Sequence, residues 1–186
     1  MLTQERLKEL LSYDPETGAF TWLLSPGPKR KGEQAGSQHH SGYRFVKLDG
    51  KMYAEHRIAF LYVHGYFPEG DVDHINRIRN DNRPDNLRES TRQCNIRNAC
   101  TSKNNSSGTK GIFFSKAEQR WIARIGADYR NAYLGIFDDR LEAACHRYAA
   151  EQCLGFPECD INSTAKQIVD RHLIQHDNAL PFWGPM

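Results

Sequence analysis

Residues 71–98 read DVDHINRIRNDNRPDNLRESTRQCNIRN, and this stretch decides the fold. Isolated apolar residues, Val72, Ile75 and Leu87, sit among a dense set of Asp, Asn, His and Arg. Apolar fragments bounded by turn formers predict a strand over Asp71–Ile75, a polar loop over Asn76–Asn86 and a returning strand over Leu87–Glu89. Ser90 followed by Gln93 fits a capping box, so a helix is expected from about Thr91 to Asn98, with Asn95 one turn from its start. A hairpin folded against that helix brings Asp73, His74 and Asn95 toward one cleft. Adjacent strand residues point to opposite faces, but a frayed strand end lets both Asp73 and His74 border it.

These residue types suit phosphodiester hydrolysis. An Asp oxygen and an Asn carbonyl oxygen are hard ligands of the kind Mg²⁺ uses, with Mn²⁺ the alternative and with water and phosphate oxygens completing the shell. Asp73 and Asn95 are therefore the candidate metal ligands. His74, with an ordinary pKa near neutrality, is the candidate general base that takes a proton from water. The metal would hold the scissile phosphate and stabilise the leaving 3′ oxygen. Asn86 stands where the loop rejoins the second strand, and its amide can clamp loop backbone. Single Asp-His pairs and Asn-rich turns are common surface features; the reading rests on strand, loop, return strand and helix occurring in one register.

The stretch resembles the HNH endonucleases in the ββα-metal form of phage and intron-borne homing enzymes. The matching residues are His56-Arg57 within HRIAFLYVHGYFP, then VDHIN from Val72 to Asn76, DNRPDNLR from Asp81 to Arg88, and Gln93-Cys94-Asn95. The resemblance implies that His74 is the base, Asp73 a metal ligand and Asn86 a structural Asn of the catalytic motif. The last motif position is His in the namesake pattern and Asn in the homing branch; Asn95 follows the latter and favours one Mg²⁺ or Mn²⁺ over zinc. Arg57 and Arg77, beside the motif, are expected DNA contacts.

Upstream, Thr3 can cap a short helix whose stripe is Leu7, Leu10 and Leu11, with Leu2 stapling it. Asp14-Pro15-Glu16-Thr17-Gly18 is a turn into a strand over Ala19–Leu24. Ser25–Ser41 reads as a loop with a basic tip, Lys29-Arg30-Lys31, and with His39-His40 as plain loop residues. Tyr43–Leu48, Asp49-Gly50 and Lys51–Tyr53 form a two-residue hairpin, and Ala54–His64 turns helical before Gly65 and Pro68.

Downstream, TSKNNSSGT over Thr101–Thr109 has no periodicity and is expected as a linker. Strands are expected over Gly111–Phe114, Arg120–Ile125 and Asn131–Phe137. A helix capped by Asp139 with Glu142 follows, and another is expected around Lys166–Ile174. Alternation sends Trp121, Ala123 and Ile125 toward the helix and leaves Arg120, Ile122 and Arg124 outside. The segments SSGTKGIFF, RWIARI, YLGIFDD and LEAACHRYAAEQCLG resemble the AP2/ERF DNA-binding domain. That resemblance implies that a three-stranded sheet enters the major groove, with Arg124 and Tyr133 at contact positions and Lys110 as a further candidate. Residues 101–130 hold six Lys or Arg against two Asp or Glu, whereas residues 131–186 hold four against eight, so DNA would meet the basic side only.

Composition limits the alternatives. The chain has 186 residues and a formal charge of +2, too weak for a protein that coats nucleic acid by charge alone. Ile58–Val63 is the longest apolar run, far short of a membrane span, and Met1 leads directly into a charged amphipathic pattern, so neither membrane nor targeting segment is expected. The five Cys, at 94, 100, 145, 153 and 159, form no C-x-x-C pair, which predicts cytosolic thiols and no structural zinc.

The expected class is α+β. The expected order is an accessory helix and hairpin region (1–53), an HNH ββα-metal nuclease core (54–100), a linker (101–109), an AP2/ERF-like three-stranded antiparallel sheet packed on one helix (110–162), and a tail (163–186). The expected function is metal-dependent hydrolysis of double-stranded DNA, leaving 5′-phosphate and 3′-hydroxyl ends. A monomer or weak dimer, phage-encoded and acting in the cytoplasm of a bacterial host, would carry it out. A non-enzymatic DNA-binding regulator on the same scaffold is the alternative.

Overall fold

The computed structural model describes residues 2–25, 31–127, 130–160 and 163–177; the Lys29-Arg30 tip and the terminal Leu180-Pro181-Phe182-Trp183 lie outside them. The chain divides into two compact units, Met1–Ile96 and Arg97–Met186.

The first unit opens with α1 (Gln4–Leu10), whose N-terminus is capped by Thr3 Oγ1 accepting from Arg6 N at 3.2 Å. Leu11 does not extend this helix. It starts β1 (Leu11–Asp14), which pairs antiparallel with β2 (Ala19–Trp22), and it is fully buried opposite Trp22. The leucine stripe thus belongs to a helix–strand junction, a pattern that helical spacing alone cannot separate from one longer helix. The turn between the strands holds Gly18 at φ +72°, where a Cβ would lie 2.6 Å from Arg83 N, so this turn is seated on the backbone at Asn82 and Arg83.

The expected loop contains β3 (Ser37–Gln38), which joins β4 (Arg44–Leu48) and β5 (Lys51–Ala54) in the order β3-β4-β5. Asp49 and Gly50 both take positive φ in the β4–β5 turn, as the hairpin reading requires. Helix α2 (Glu55–His64) ends at Gly65 in the left-handed conformation. Then β6 (Asp71–His74) pairs antiparallel with β7 (Leu87–Ser90), with a 3-10 turn at Pro84–Asn86 before the return. Helix α3 (Arg92–Asn98) follows; Thr91, and not Ser90, caps it, with Thr91 Oγ1 accepting from Cys94 N at 3.2 Å. Leu7, Leu11, Phe20, Leu48, Ile58, Val72 and Leu87 belong to a single apolar core. The N-terminal elements and the β6–β7 hairpin are therefore one folding unit.

In the second unit, β8 (Ile112–Ser115), β9 (Arg120–Ala127) and β10 (Arg130–Phe137) form an antiparallel sheet ordered β10-β9-β8. Helix α4 (Arg140–Cys153) is capped by Asp139, and its Ala143 and Ala144 pack on Ile112, Ala123 and Phe137. Ile168 and Val169 of α5 (Thr164–Asp177) add to that core. The stretch read as a linker is built in at its end: Thr109 is fully buried, and Ser107 Oγ donates to Ile112 O at 2.5 Å.

Cys100, Cys145 and Cys153 are free thiols and Cys94 and Cys159 are not, which corrects the expectation of five thiols. The absence of a C-x-x-C pair says nothing about the oxidation state of a single Cys. Among the described residues, no helix is long and apolar enough to cross a membrane.

Candidate active site

Strand β6 sets the site. Asp71 and Asp73 lie two residues apart on one strand face, about 6.6 Å along the chain, and His74 points to the other. His74 is not frayed: it pairs in register with Leu87, and Ile75 N continues to Asn86 O at 2.9 Å, so the frayed strand end expected to let Asp73 and His74 border one cleft is not formed and the two residues alternate to opposite faces of β6.

On the Asp face, Asp73 is buried and accepts two bonds on Oδ2 from Arg88, its register partner, at 3.1 Å from Nε and 2.9 Å from Nη2. Asn95 of α3 donates Nδ2 to Asp71 Oδ2 at 3.1 Å. That bond commits the amide NH₂ and leaves Oδ1 as the acceptor atom of Asn95. The carboxylate of Asp73 and this carbonyl oxygen fit a hard cation that fills most of its shell with water and phosphate. Among the described residues, no group of three or more His, Cys, Asp or Glu side chains is arranged as a metal cage.

On the other face, the His74 ring meets His56 at 5.2 Å and Tyr43 at 5.8 Å between centroids. Its Nε2 lies 3.2 Å from Asn82 Oδ1. Burial pushes the His74 pKa below its ordinary value, against the Asn82 bond and the nearby Asp73 charge, and so favours the neutral ring that a base requires. His56 is pushed down to about 3, by burial first and then by His74 and Arg57.

The loop between the strands is held by its own polar side chains. Asn86 Oδ1 accepts from Asn76 N at 2.9 Å while its Nδ2 donates to Asp81 O at 2.7 Å, so one amide ties both ends of the loop. Asp81 in turn accepts from Asn76 Nδ2 and from Arg83. Arg77 takes φ +66° in the turn after His74, its N–H bonded to His74 O. The Arg57 guanidinium is committed to the fold, donating to Gly70 O at 3.0 Å and Pro68 O at 2.9 Å.

Sequence reasoning passed over Glu55, Asn82, Asp71 and Arg88. Asn82 lies inside the quoted DNRPDNLR run, and Glu55 directly precedes His56, so proximity to the motif was the available signal.

In the second unit, Ala123 and Ile125 are buried and Arg124 is exposed, as alternation requires. Arg124 lies across from Tyr133, which is 58% exposed, and its guanidinium sits 5.3 Å from the Phe113 ring centroid. Arg120 bonds the exposed Asp138 at 2.7 Å. Lys110 is turned elsewhere: its Nζ donates to Arg97 O at 2.8 Å and to Asp160 at 3.3 Å.

No curated protein and no solved structure matches the chain. Residues 53–97, which contain α2, the β6–β7 hairpin and most of α3, match the family model of the HNH endonucleases.

Proposed function

We propose that the protein is a divalent-metal-dependent DNA endonuclease of the homing-type HNH branch. The observation that supports this reading is the coincidence of the HNH match over residues 53–97 with a hairpin–helix unit that carries Asp73, His74, Asn86 and Asn95.

In this reading the scissile phosphate lies at the end of β6, where groups from both strand faces reach it, and His74 accepts a proton from a water molecule as that water's oxygen attacks phosphorus. The P–O3′ bond breaks, leaving a 5′-phosphate; the 3′ oxygen departs and is protonated by solvent. Mg²⁺ or Mn²⁺ held by Asp73 and Asn95 would supply charge stabilisation for the phosphate and the leaving oxygen. Asn86 keeps the loop closed beneath the site, and Asp71 keeps Asn95 in its ligating orientation. Arg88 neutralises Asp73 and would yield to the cation. The exposed Arg124, with Phe113 and Tyr133, supports an AP2-like sheet that holds duplex DNA; Arg120 extends that face, and Arg77 contributes a cationic side chain next to the motif. Arg57 and Lys110, with their intramolecular bonds, act in the fold in this account.

The Asp73–Arg88 pair is the observation that favours the second reading, a non-enzymatic DNA-binding regulator, because an Arg can neutralise Asp73 without any metal. Incubating the full chain with supercoiled plasmid and Mg²⁺, with and without EDTA, separates the two. Nicked or linear product that disappears with EDTA is expected of the nuclease, and bound but intact plasmid of the regulator.

A further inference from the structure

The outer face of the second unit's sheet carries aromatic rings that its core does not use. Ala123 and Ile125 are buried, so Arg124 between them points away from α4, and its register partner Tyr133 on β10 shares that face. Phe113 of β8 pairs with Ile122, two residues from Arg124, and belongs to the same face. Tyr133 is 58% exposed and Phe113 is 38% exposed. From β9, the middle strand, the Arg124 guanidinium comes within 5.3 Å of the Phe113 ring centroid.

A bulge in β10 completes the face. The register passes from Tyr133 opposite Arg124 to Gly135 opposite Ala123, so Leu134 is the extra residue, and Ile136 then falls opposite Ile122. Gly135 takes φ +145°, and a Cβ there would lie 2.6 Å from Phe137 Cζ. Without the extra residue, period two would send Tyr133 and Ile136 to opposite faces; with it, both stand on the outer one.

Large apolar rings left in water on one face, next to a cation, mark a contact surface. Residues 101–130 hold six Lys or Arg against two Asp or Glu, which fits a polyanion. Ring faces then select among forms of DNA. A paired base keeps both its faces in the stack and shows only its edges in the grooves, whereas an unpaired base offers a whole π face to Phe or Tyr. Phe113 and Tyr133 stand on the two outer strands, about 10 Å apart across the sheet. They can therefore serve two separate bases, with Arg124 placed for the phosphate between them.

We propose that the β8–β10 face is a stacking platform for unpaired bases, holding DNA where the duplex is opened, with one base on Phe113 and one on Tyr133. The proposal rests on the reading of this sheet as a DNA-binding face, and it needs no cleavage.

The test titrates the full-length protein, in EDTA, with a fully paired duplex and with the same duplex carrying a central bubble of unpaired bases, one of them 2-aminopurine. The bubble should bind more tightly by roughly 5- to 150-fold, the range that stacking a base on an aromatic ring gives. The 2-aminopurine emission should fall severalfold as the base stacks. Tyr133→Ala and Phe113→Ala should each remove much of this advantage and of the quenching, with the paired duplex held within a few fold of wild type. Tyr133→Phe keeps the ring and should retain both. Equal affinity for bubble and paired duplex overturns the proposal and leaves the DNA-binding reading standing; binding of neither overturns both. A bubble preference that both alanine variants keep also overturns it. A dimer of the full chain that Tyr133→Ala converts to a monomer, seen by sedimentation, assigns the face to a second copy of the protein and overturns the proposal as well.

Discussion

Arg88 stands directly opposite Asp73 in the β6–β7 register and places Nη2 2.9 Å from Asp73 Oδ2, so a guanidinium neutralises the carboxylate that the proposed metal would use. Removing it should expose the dual character of Asp73. Arg88→Ala leaves a buried carboxylate without its partner and should cost roughly 2 to 4 kcal/mol of stability. Mg²⁺ or Mn²⁺ should then recover part of that loss, since a ligand at about 100 times its Kd stabilises by about 2.7 kcal/mol. Thermal melts with and without the metal check this. A melting temperature equally low in both would remove Asp73 from the metal site.

The clamp made by Asn86 gives a second expectation. Asn86→Leu removes both loop bonds in a buried position and should cost roughly 2 to 4 kcal/mol. Asn86→Asp keeps an acceptor for Asn76 N but turns a carboxylate oxygen toward Asp81 O. It should therefore be destabilised as well, and denaturant midpoints of the two variants give the comparison. Wild-type midpoints in both would mean that the loop closes without the clamp.

His56 makes stability depend on pH. Its folded pKa of about 3 lies below the unfolded value, so the unfolded chain binds the extra proton as pH falls below about 6.5. The stability present above that pH is lost on acidification, by up to about 2 kcal/mol at pH 5. His74, shifted in the same direction, adds to the loss. A His56→Gln variant should show a flatter stability profile between pH 7 and pH 5 than the wild type, measured by urea midpoints across that range. Parallel profiles would contradict the burial-driven shift.

Arg124 and Lys110 should part company in DNA binding. Arg124 is exposed beside Phe113, so Arg124→Ala should reduce the slope of log K against log salt by roughly 0.9 if one phosphate contact is lost. If the side chain reads a base edge, about 1 to 3 kcal/mol of sequence discrimination goes with it. Lys110→Ala breaks bonds to Arg97 O and Asp160 and should lower the melting temperature with little change in slope. Fluorescence titrations at three salt concentrations with cognate and scrambled duplexes decide it. A slope change for Lys110 and none for Arg124 would reverse the assignment of the face.

Much of this fold is legible in the sequence. Period-two segments, the Asp49-Gly50 turn and the Asp139 cap predicted the hairpins and the start of α4, because those signals are local. β1 and β3 were missed because they exist through partners: Leu11 needs Trp22, and Ser37–Gln38 are too short to carry a pattern. The cap of α3 moved by one residue because Ser and Thr stand side by side at 90 and 91, and either hydroxyl can serve. In the candidate site, the Asp73-His74 pair and Asn86 and Asn95 stand out in the sequence by residue type and spacing. The hydrogen-bonded chain from Arg44 through Glu55 to Asn82 does not, since it joins residues 11 and 27 positions apart that meet only when β4, α2 and the loop pack together. The same holds for the bonds of Arg57 and Lys110, whose guanidinium and ammonium groups donate to carbonyl groups 11 to 13 positions away.

The central claim, that His74 is the base of a metal-dependent nuclease, is tested most directly by comparing wild type and His74→Ala on supercoiled plasmid in Mg²⁺, with DNA affinity measured in parallel. The account predicts EDTA-sensitive cleavage by the wild type, a rate lower by roughly 10² to 10⁴ in the variant, and affinities within a few fold of each other. Near-normal turnover by His74→Ala, or cleavage that EDTA leaves untouched, would contradict it.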